Sequence, residues 1–107
     1  MNNVDEDVKV KIYIKNKGNL IANANVYLNT NGFGILALKG FQIWNSQRFN
    51  ERLKEKINIS PPSKSVYGKS VYLLYFENPE GWNRLEQKIY EAYIYQKNYE
   101  MVEGRIS

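Results

Sequence analysis

Ile57-Asn-Ile-Ser-Pro-Pro-Ser-Lys64, followed by Gly68-Lys69 and the apolar run from Ser70 to Phe76, sets a short strand, a rigid break, a basic loop and a second strand in succession. Proline has no N–H to give to a sheet ladder, so the strand carrying Ile57 and Ile59 must stop at Pro61-Pro62 or lie at a sheet edge. Gly68 lets the chain turn back. Between these points lie Ser63, Lys64, Ser65, Val66 and Tyr67. Such a hydroxyl-rich, cationic tip suits holding an anion or a phosphate, not cutting a bond.

Upstream of this stretch, the alternation of side chains reads as strands. From Val8 to Lys17 the even positions are Val8, Val10, Ile12 and Ile14, while Lys9, Lys11, Tyr13, Lys15 and Lys17 take the odd ones. Period two of this kind marks a half-buried strand. Lys17-Gly18-Asn19 is a hairpin turn. The next strand has Leu20, Ala22, Ala24, Val26 and Leu28 inward and Ile21, Asn23, Asn25, Tyr27 and Asn29 outward, and Asn31-Gly32 closes it. Phe33 to Trp44 is a third strand, apolar on both faces over much of its length, hence central or at an interface.

Asn45 to Lys56 is either a short helix capped by Ser46, with Phe49 and Leu53 inward and Arg48, Arg52, Lys54 and Lys56 wet, or a long loop. Strands at Lys56–Ser60 and Ser70–Phe76 then complete a sheet of about five. Asn78-Pro79-Glu80 opens a helix: Asn78 is placed to cap, Pro79 suits the first turn and Glu80 the positive end of the dipole. Trp82, Leu85, Ile89, Ala92, Tyr93 and Gln96 recur at helical spacing to about Lys97. The expectation is an α+β fold, an antiparallel sheet of about five strands with one C-terminal helix packed on it. It forms a single domain over residues 1–107, with 1–7 and about 98–107 loose.

Composition restricts the chemistry. The 107 residues include no His and no Cys, so the commonest general base, the thiol nucleophile and the usual transition-metal ligands are missing. Asp5 and Asp7 are the only aspartates, and the glutamates, including Glu51, Glu55, Glu77, Glu80, Glu86 and Glu91, show no spacing that gathers oxygens for a divalent cation. Ser60, Ser63 and Ser65 lie near Lys64, but a lysine base must also be desolvated, and a solvated polar loop is the plainer reading. The chain does not read as an enzyme, and no cofactor or metal is expected. No stretch approaches the ~20 apolar residues of a membrane span. A polar, acidic start is unlike a secretory signal, which points to a soluble, cytoplasmic protein with no membrane partner. Fifteen Lys and Arg against eleven Asp and Glu leave a net charge of +4, compatible with a nucleic-acid partner.

The segments Asn19-Leu-Ile-Ala-Asn-Ala24, Gly34-Ile-Leu-Ala-Leu-Lys-Gly-Phe-Gln-Ile-Trp44 and Ile57-Asn-Ile-Ser-Pro-Pro-Ser-Lys64, with Gly68 and a last apolar strand before a tyrosine-containing helix, resemble the SpoVG family (stage V sporulation protein G, the septation regulator). Pro62, Ser63, Lys64 and Gly68 match that family's loop, while Pro61 stands where it usually has Met. The resemblance covers roughly residues 8–96. It implies a sheet with a C-terminal helix, assembled as a homodimer and acting in a bacterium as a regulator that binds DNA or RNA with some sequence preference.

Three groups of residues are candidate nucleic-acid contacts. Lys9, Lys11, Lys15 and Lys17 share a strand face with Tyr13, and cations interleaved with aromatics on an open sheet can track phosphates while a ring stacks on a base. The same lysines also read as an edge strand guarded against aggregation. Ser63, Lys64 and Lys69 of the loop form the second group, and Arg84 with Lys88 on the helix the third. Phe41, Ile43 and Trp44 are the candidate dimer interface. A rival function uses those three residues to pair with another protein, without nucleic acid.

Overall fold

The computed structural model describes residues 8–106, so the expectation of a loose segment at 1–7 lies outside the described residues. In chain order the elements are β1 (Val8–Lys17), β2 (Leu20–Thr30), β3 (Gly34–Asn50), β4 (Glu55–Ser60), β5 (Ser63–Val66), β6 (Lys69–Tyr72) and α1 (Pro79–Ile106). The first four strands form one antiparallel sheet in the order β1-β2-β3-β4, and β5 with β6 forms a separate two-stranded sheet. The class is therefore α+β with one C-terminal helix. A single sheet of about five strands is not what forms. Neither Pro61 nor Pro62 can donate to a ladder, so β4 stops at Ser60 and residues 63–72 pair with one another. The Leu73 N–H donates to the Pro62 carbonyl at 2.8 Å and ties the base of that hairpin; the strand expected to run to Phe76 ends at Tyr72.

Strand β3 changes phase in its middle. Its inward apolar residues are even-numbered at Leu36 and Leu38, which face Leu28 and Val26, and odd-numbered at Phe41 and Ile43, which face Ala24 and Ala22. Gly40 absorbs the extra residue as a bulge at φ 104°, and its N–H donates to Asn25 Oδ1 at 3.2 Å. The run that reads as apolar on both faces is thus two half-strands of opposite phase. Strand β3 is the longest of the six and lies between β2 and β4.

Residues 45–56 form neither the helix nor the long loop that the sequence leaves open. Strand β3 continues through them to Asn50, a tight turn covers Glu51 to Lys54, and β4 begins at Glu55. Asn50 organises the turn. Its Oδ1 accepts the N–H groups of Arg52 (3.0 Å) and Leu53 (3.2 Å), and its backbone carbonyl accepts that of Lys54 (2.7 Å), which sits at φ 59°.

Helix α1 lies on the inner face of the large sheet. Leu85, Glu86, Ile89 and Tyr93 are buried at i, i+1, i+4 and i+8, against a cluster that includes Ala22, Ala24, Val26, Phe41 and Ile43. The alanines let the helix come close to β2. Burying a side chain such as Ile89 stabilises the fold by about 1.5–3 kcal/mol. Trp82 stacks on Phe41 with centroids 6.4 Å apart and planes 14° off parallel, and Phe76 tilts against the same indole at 6.4 Å. Gly81 leaves room for the Phe76 ring, since an added Cβ would lie 2.8 Å from it and the ring would have to shift. The helix does not end near Lys97 but continues to Ile106. No proline follows Lys97 to break the backbone.

Candidate nucleic-acid interface

The ladder register assigns each side chain of the large sheet to a face. Opposite the helix, Lys9 pairs with Tyr27, Lys11 with Asn25, and Tyr13 with Asn23. On the far side of β2, Tyr27 pairs with Ala37, Asn25 with Lys39, and Asn23 with Gln42, whose other partner is Ser60. The outer face therefore carries lysines at one end, an amide-rich row in the middle and Trp44 beside Asn58 at the other. Tyr13 is 45% exposed, and Lys9, Lys11, Lys15, Lys39 and Asn58 are exposed. The Lys11 ammonium lies 5.7 Å from the centroid of the Tyr27 ring, a cation–π contact that holds both side chains on this face.

No carboxylate reaches this surface from the strands. Glu55 is the only Asp or Glu within β1 to β4, and it turns to the helix side, where it accepts the Tyr90 hydroxyl at 2.5 Å. That bond, with burial adding to it, pushes the Tyr90 hydroxyl up to about 12. Tyr93 beside it is raised as well, first by burial. The acidic residues of the described chain gather instead at the β3–β4 turn and on or just before α1.

The other acid at the centre of the fold is neutralised in place. Glu86 is 1% exposed; its Oε1 accepts Arg52 Nε at 2.7 Å, and its Oε2 accepts Arg52 NH2 at 3.0 Å and Asn50 Nδ2 at 3.3 Å. The hydrogen bond to Glu86 holds the Arg52 guanidinium above its usual range. This pair fastens the β3–β4 turn to α1. Arg52, placed by the sequence on the wet side of a short helix or in a long loop, stays half exposed in the β3–β4 turn while its guanidinium pairs with the buried Glu86.

The candidate residues do not form one site. Lys9, Lys11 and Tyr13 lie on the outer face by their ladder partners, and exposed Lys15 follows Ile14 in the alternation without a ladder partner of its own. Lys17 is exposed, but the register shifts between Ile14 and Lys17, with Asn16 at φ 51°, so its direction no longer follows from alternation. Lys64 and Lys69 share one face of the β5–β6 hairpin, across from Val71 and Val66, while Ser63 takes the other face beside Tyr72. What reads as a loop tip is a paired ribbon, turned by Tyr67 at φ 51° and Gly68 at φ 79°, with Tyr67 100% exposed. Arg84 and Lys88 line a cavity of about 220 Å³ with Val8, Leu28 and Phe76, on the helix side of the sheet. They stand opposite the β1 lysines.

The dimer contacts expected at Phe41 and Ile43 need correction. Both have 0% exposure and are buried beneath α1, so neither can touch a second chain while the fold is intact. Trp44 is half-buried on the outer face, where its indole N–H donates to Ser60 Oγ at 3.2 Å. The exposed apolar groups lie elsewhere, at Phe33, Ile35 and Leu36 near the β2–β3 turn and at Tyr67, Tyr72 and Leu73 of the hairpin.

Lys39, Asn23, Asn25 and Gln42 join the outer face although the sequence pattern did not assign them to a binding site. A signal for the whole surface was present: no Asp or Glu occurs from residue 8 to residue 50, nor from 56 to 76. Among the described residues no three His, Cys, Asp or Glu side chains could hold a metal ion, and no helix is long and apolar enough to cross a membrane. No family model, no curated protein and no solved structure matches the chain.

Proposed function

We propose that this chain is a non-enzymatic regulator that binds DNA or RNA in the manner implied by its resemblance to the SpoVG family, acting in the cytoplasm of a bacterium as a homodimer. The observation that carries the reading is the outer sheet face, which holds Lys9, Lys11, Lys15 and Lys39 among Tyr13 and Tyr27 with no strand carboxylate beside them. A purely solvated face usually mixes both signs of charge. A surface of one sign retains polyanions by releasing their condensed counterions, and a dimer doubles it. Lys64 and Lys69 on the hairpin add a second contact of the same sign.

Fluorescence anisotropy with mixed-sequence DNA and RNA at two salt concentrations tests the reading. Affinity is expected to fall steeply with salt. Replacing Lys11 and Lys15 together by Ala is expected to flatten the salt slope by about two, one per lost phosphate contact. If neither nucleic acid binds at low salt, the function is wrong. If the slope is unchanged in the double variant, the face is wrong.

A protein-binding role is favoured by a different observation, the exposed Phe33, Ile35, Leu36, Tyr72 and Leu73. Ile35 and Leu36 lie on opposite faces at the end of β3, and large apolar side chains left exposed at strand and hairpin ends are candidates for association. This surface takes the place of Phe41 and Ile43 as the place where a second copy would dock. Sedimentation of the wild type against Ile35→Lys tests this surface: a dimer that becomes monomeric supports self-association there, and an unchanged mass opposes it.

A further inference from the structure

We infer that the outer face takes its nucleic acid as a single strand, with a base stacked on Tyr13 and another received at Trp44; this rests on the nucleic-acid reading above and adds the form of the ligand. The face is too broad for a duplex groove. Three inter-strand spacings separate β1 from β4, roughly 14 Å before side chains are counted, whereas the major groove is about 12 Å wide. A four-stranded face wider than the groove would meet a duplex along its outer ridge. Unstacked bases, by contrast, offer flat rings and free edges to a sheet.

The residues on the face supply both kinds of contact. The row Tyr13, Asn23, Gln42 and Ser60 begins with an exposed ring and continues with two amides and a hydroxyl. Amides donate and accept, so they suit base edges of more than one kind. Asn23 Oδ1 is buried with no hydrogen-bond partner, an arrangement that costs free energy until its amide turns toward a donor. Lys9 and Lys11 are two residues apart, roughly 6.6 Å along the strand, close to the repeat of an extended sugar-phosphate chain.

Beyond this row the surface becomes concave. A groove of about 710 Å³ is lined by Trp44, Asn58, Arg48 and Phe49, with Glu51 and Arg52 of the β3–β4 turn also on its wall. Trp44 and Asn58 belong to the β3–β4 ladder, so the groove continues the face. The Trp44–Ser60 bond fixes the indole ring, and exposed Arg48 offers a cation at the rim. A lone nucleotide in the groove would not touch the lysines of β1. A polymer uses both.

Anisotropy with a labelled strand of about a dozen nucleotides, as RNA, as DNA and as the same DNA annealed to its complement, tests this at one low salt concentration. Either single strand is expected to bind at least tenfold more tightly than the duplex. Tyr13→Ala is expected to weaken single-strand binding about 5- to 150-fold, the range for one lost stacking contact, while Tyr13→Phe keeps most of the affinity. Duplex bound as tightly as single strand overturns the inference and leaves the nucleic-acid reading standing. No binding to any of the three overturns both. A measurement on the wild type decides the matter even where Tyr13→Ala fails to fold. Photocrosslinking to a bromouracil-substituted strand should give adducts in the peptides bearing Tyr13 or Trp44, and adducts confined to β5–β6 or α1 would refute the placement.

Discussion

Replacing Arg52 by Ala should be among the most damaging single changes at the surface of this protein. The substitution removes both guanidinium bonds to Glu86 and leaves a carboxylate that is 1% exposed with only Asn50 Nδ2, 3.3 Å away, as a partner. Stranding a buried charge costs about 3–5 kcal/mol when its partner is equally buried. Here the Arg52 side chain is 51% exposed, so water reaches the vacated side and replaces part of the lost interaction. A loss of about 2–3 kcal/mol follows. For a domain of about 100 residues that corresponds to a fall of about 10–20 °C in the melting temperature.

Urea unfolding followed by far-UV circular dichroism and by the combined fluorescence of Trp44 and Trp82 measures it directly. The midpoint should drop without a change in the slope, since the same surface is exposed on unfolding. Arg52→Met combined with Glu86→Leu removes both charges and should return stability to within about 1 kcal/mol of the wild type. A loss below about 0.5 kcal/mol for Arg52→Ala, the level of an ordinary exposed pair, would refute the argument that this bridge fastens the β3–β4 turn to the helix.

Two further outcomes are expected. Gly40→Ala forces an L side chain to φ 104° at the bulge, and a cost of about 1–3 kcal/mol in thermal unfolding is expected; unchanged melting would mean that the bulge can move. Tyr90 holds its proton up to about 12 in the folded chain against 10.0 ordinarily, so the folded state binds more protons between those values and stability must fall as pH rises through them. The stability advantage of wild type over Tyr90→Phe should therefore be full below pH 10, decline between the two values and vanish above them; a difference independent of pH would remove Glu55 as its cause.

Side-chain alternation alone was enough to place β1 and most of β2, but Ile21, outward by alternation, is buried where the register shifts between Leu20 and Ala22. The start of α1 was equally local, written in Asn78-Pro79-Glu80. Pro61-Pro62 announced the end of β4 but left the pairing of residues 63–72 open. A ribbon that pairs with itself and an added strand look the same in sequence, since both need only a few β-forming residues beyond a break. The lysine face was legible in part, through Lys9, Lys11, Tyr13 and Lys15, because period two fixes neighbours within a strand.

By itself, then, the sequence determined what short-range geometry determines: which residues alternate, where the prolines stop a ladder, and that residues 8–50 carry no acid. Tertiary structure decided whatever depends on residues far apart in the chain. It brought Lys39 and Gln42 beside Asn25 and Asn23 through the Gly40 bulge, since only a ladder register says which outward residues are neighbours. It also buried Phe41 and Ile43 under α1, because an apolar strand suits a helix and a second chain equally well until one of them covers it. And it joined Arg52 to Glu86 across 34 positions, a pairing that no local pattern encodes because charge acts through space and not along the chain.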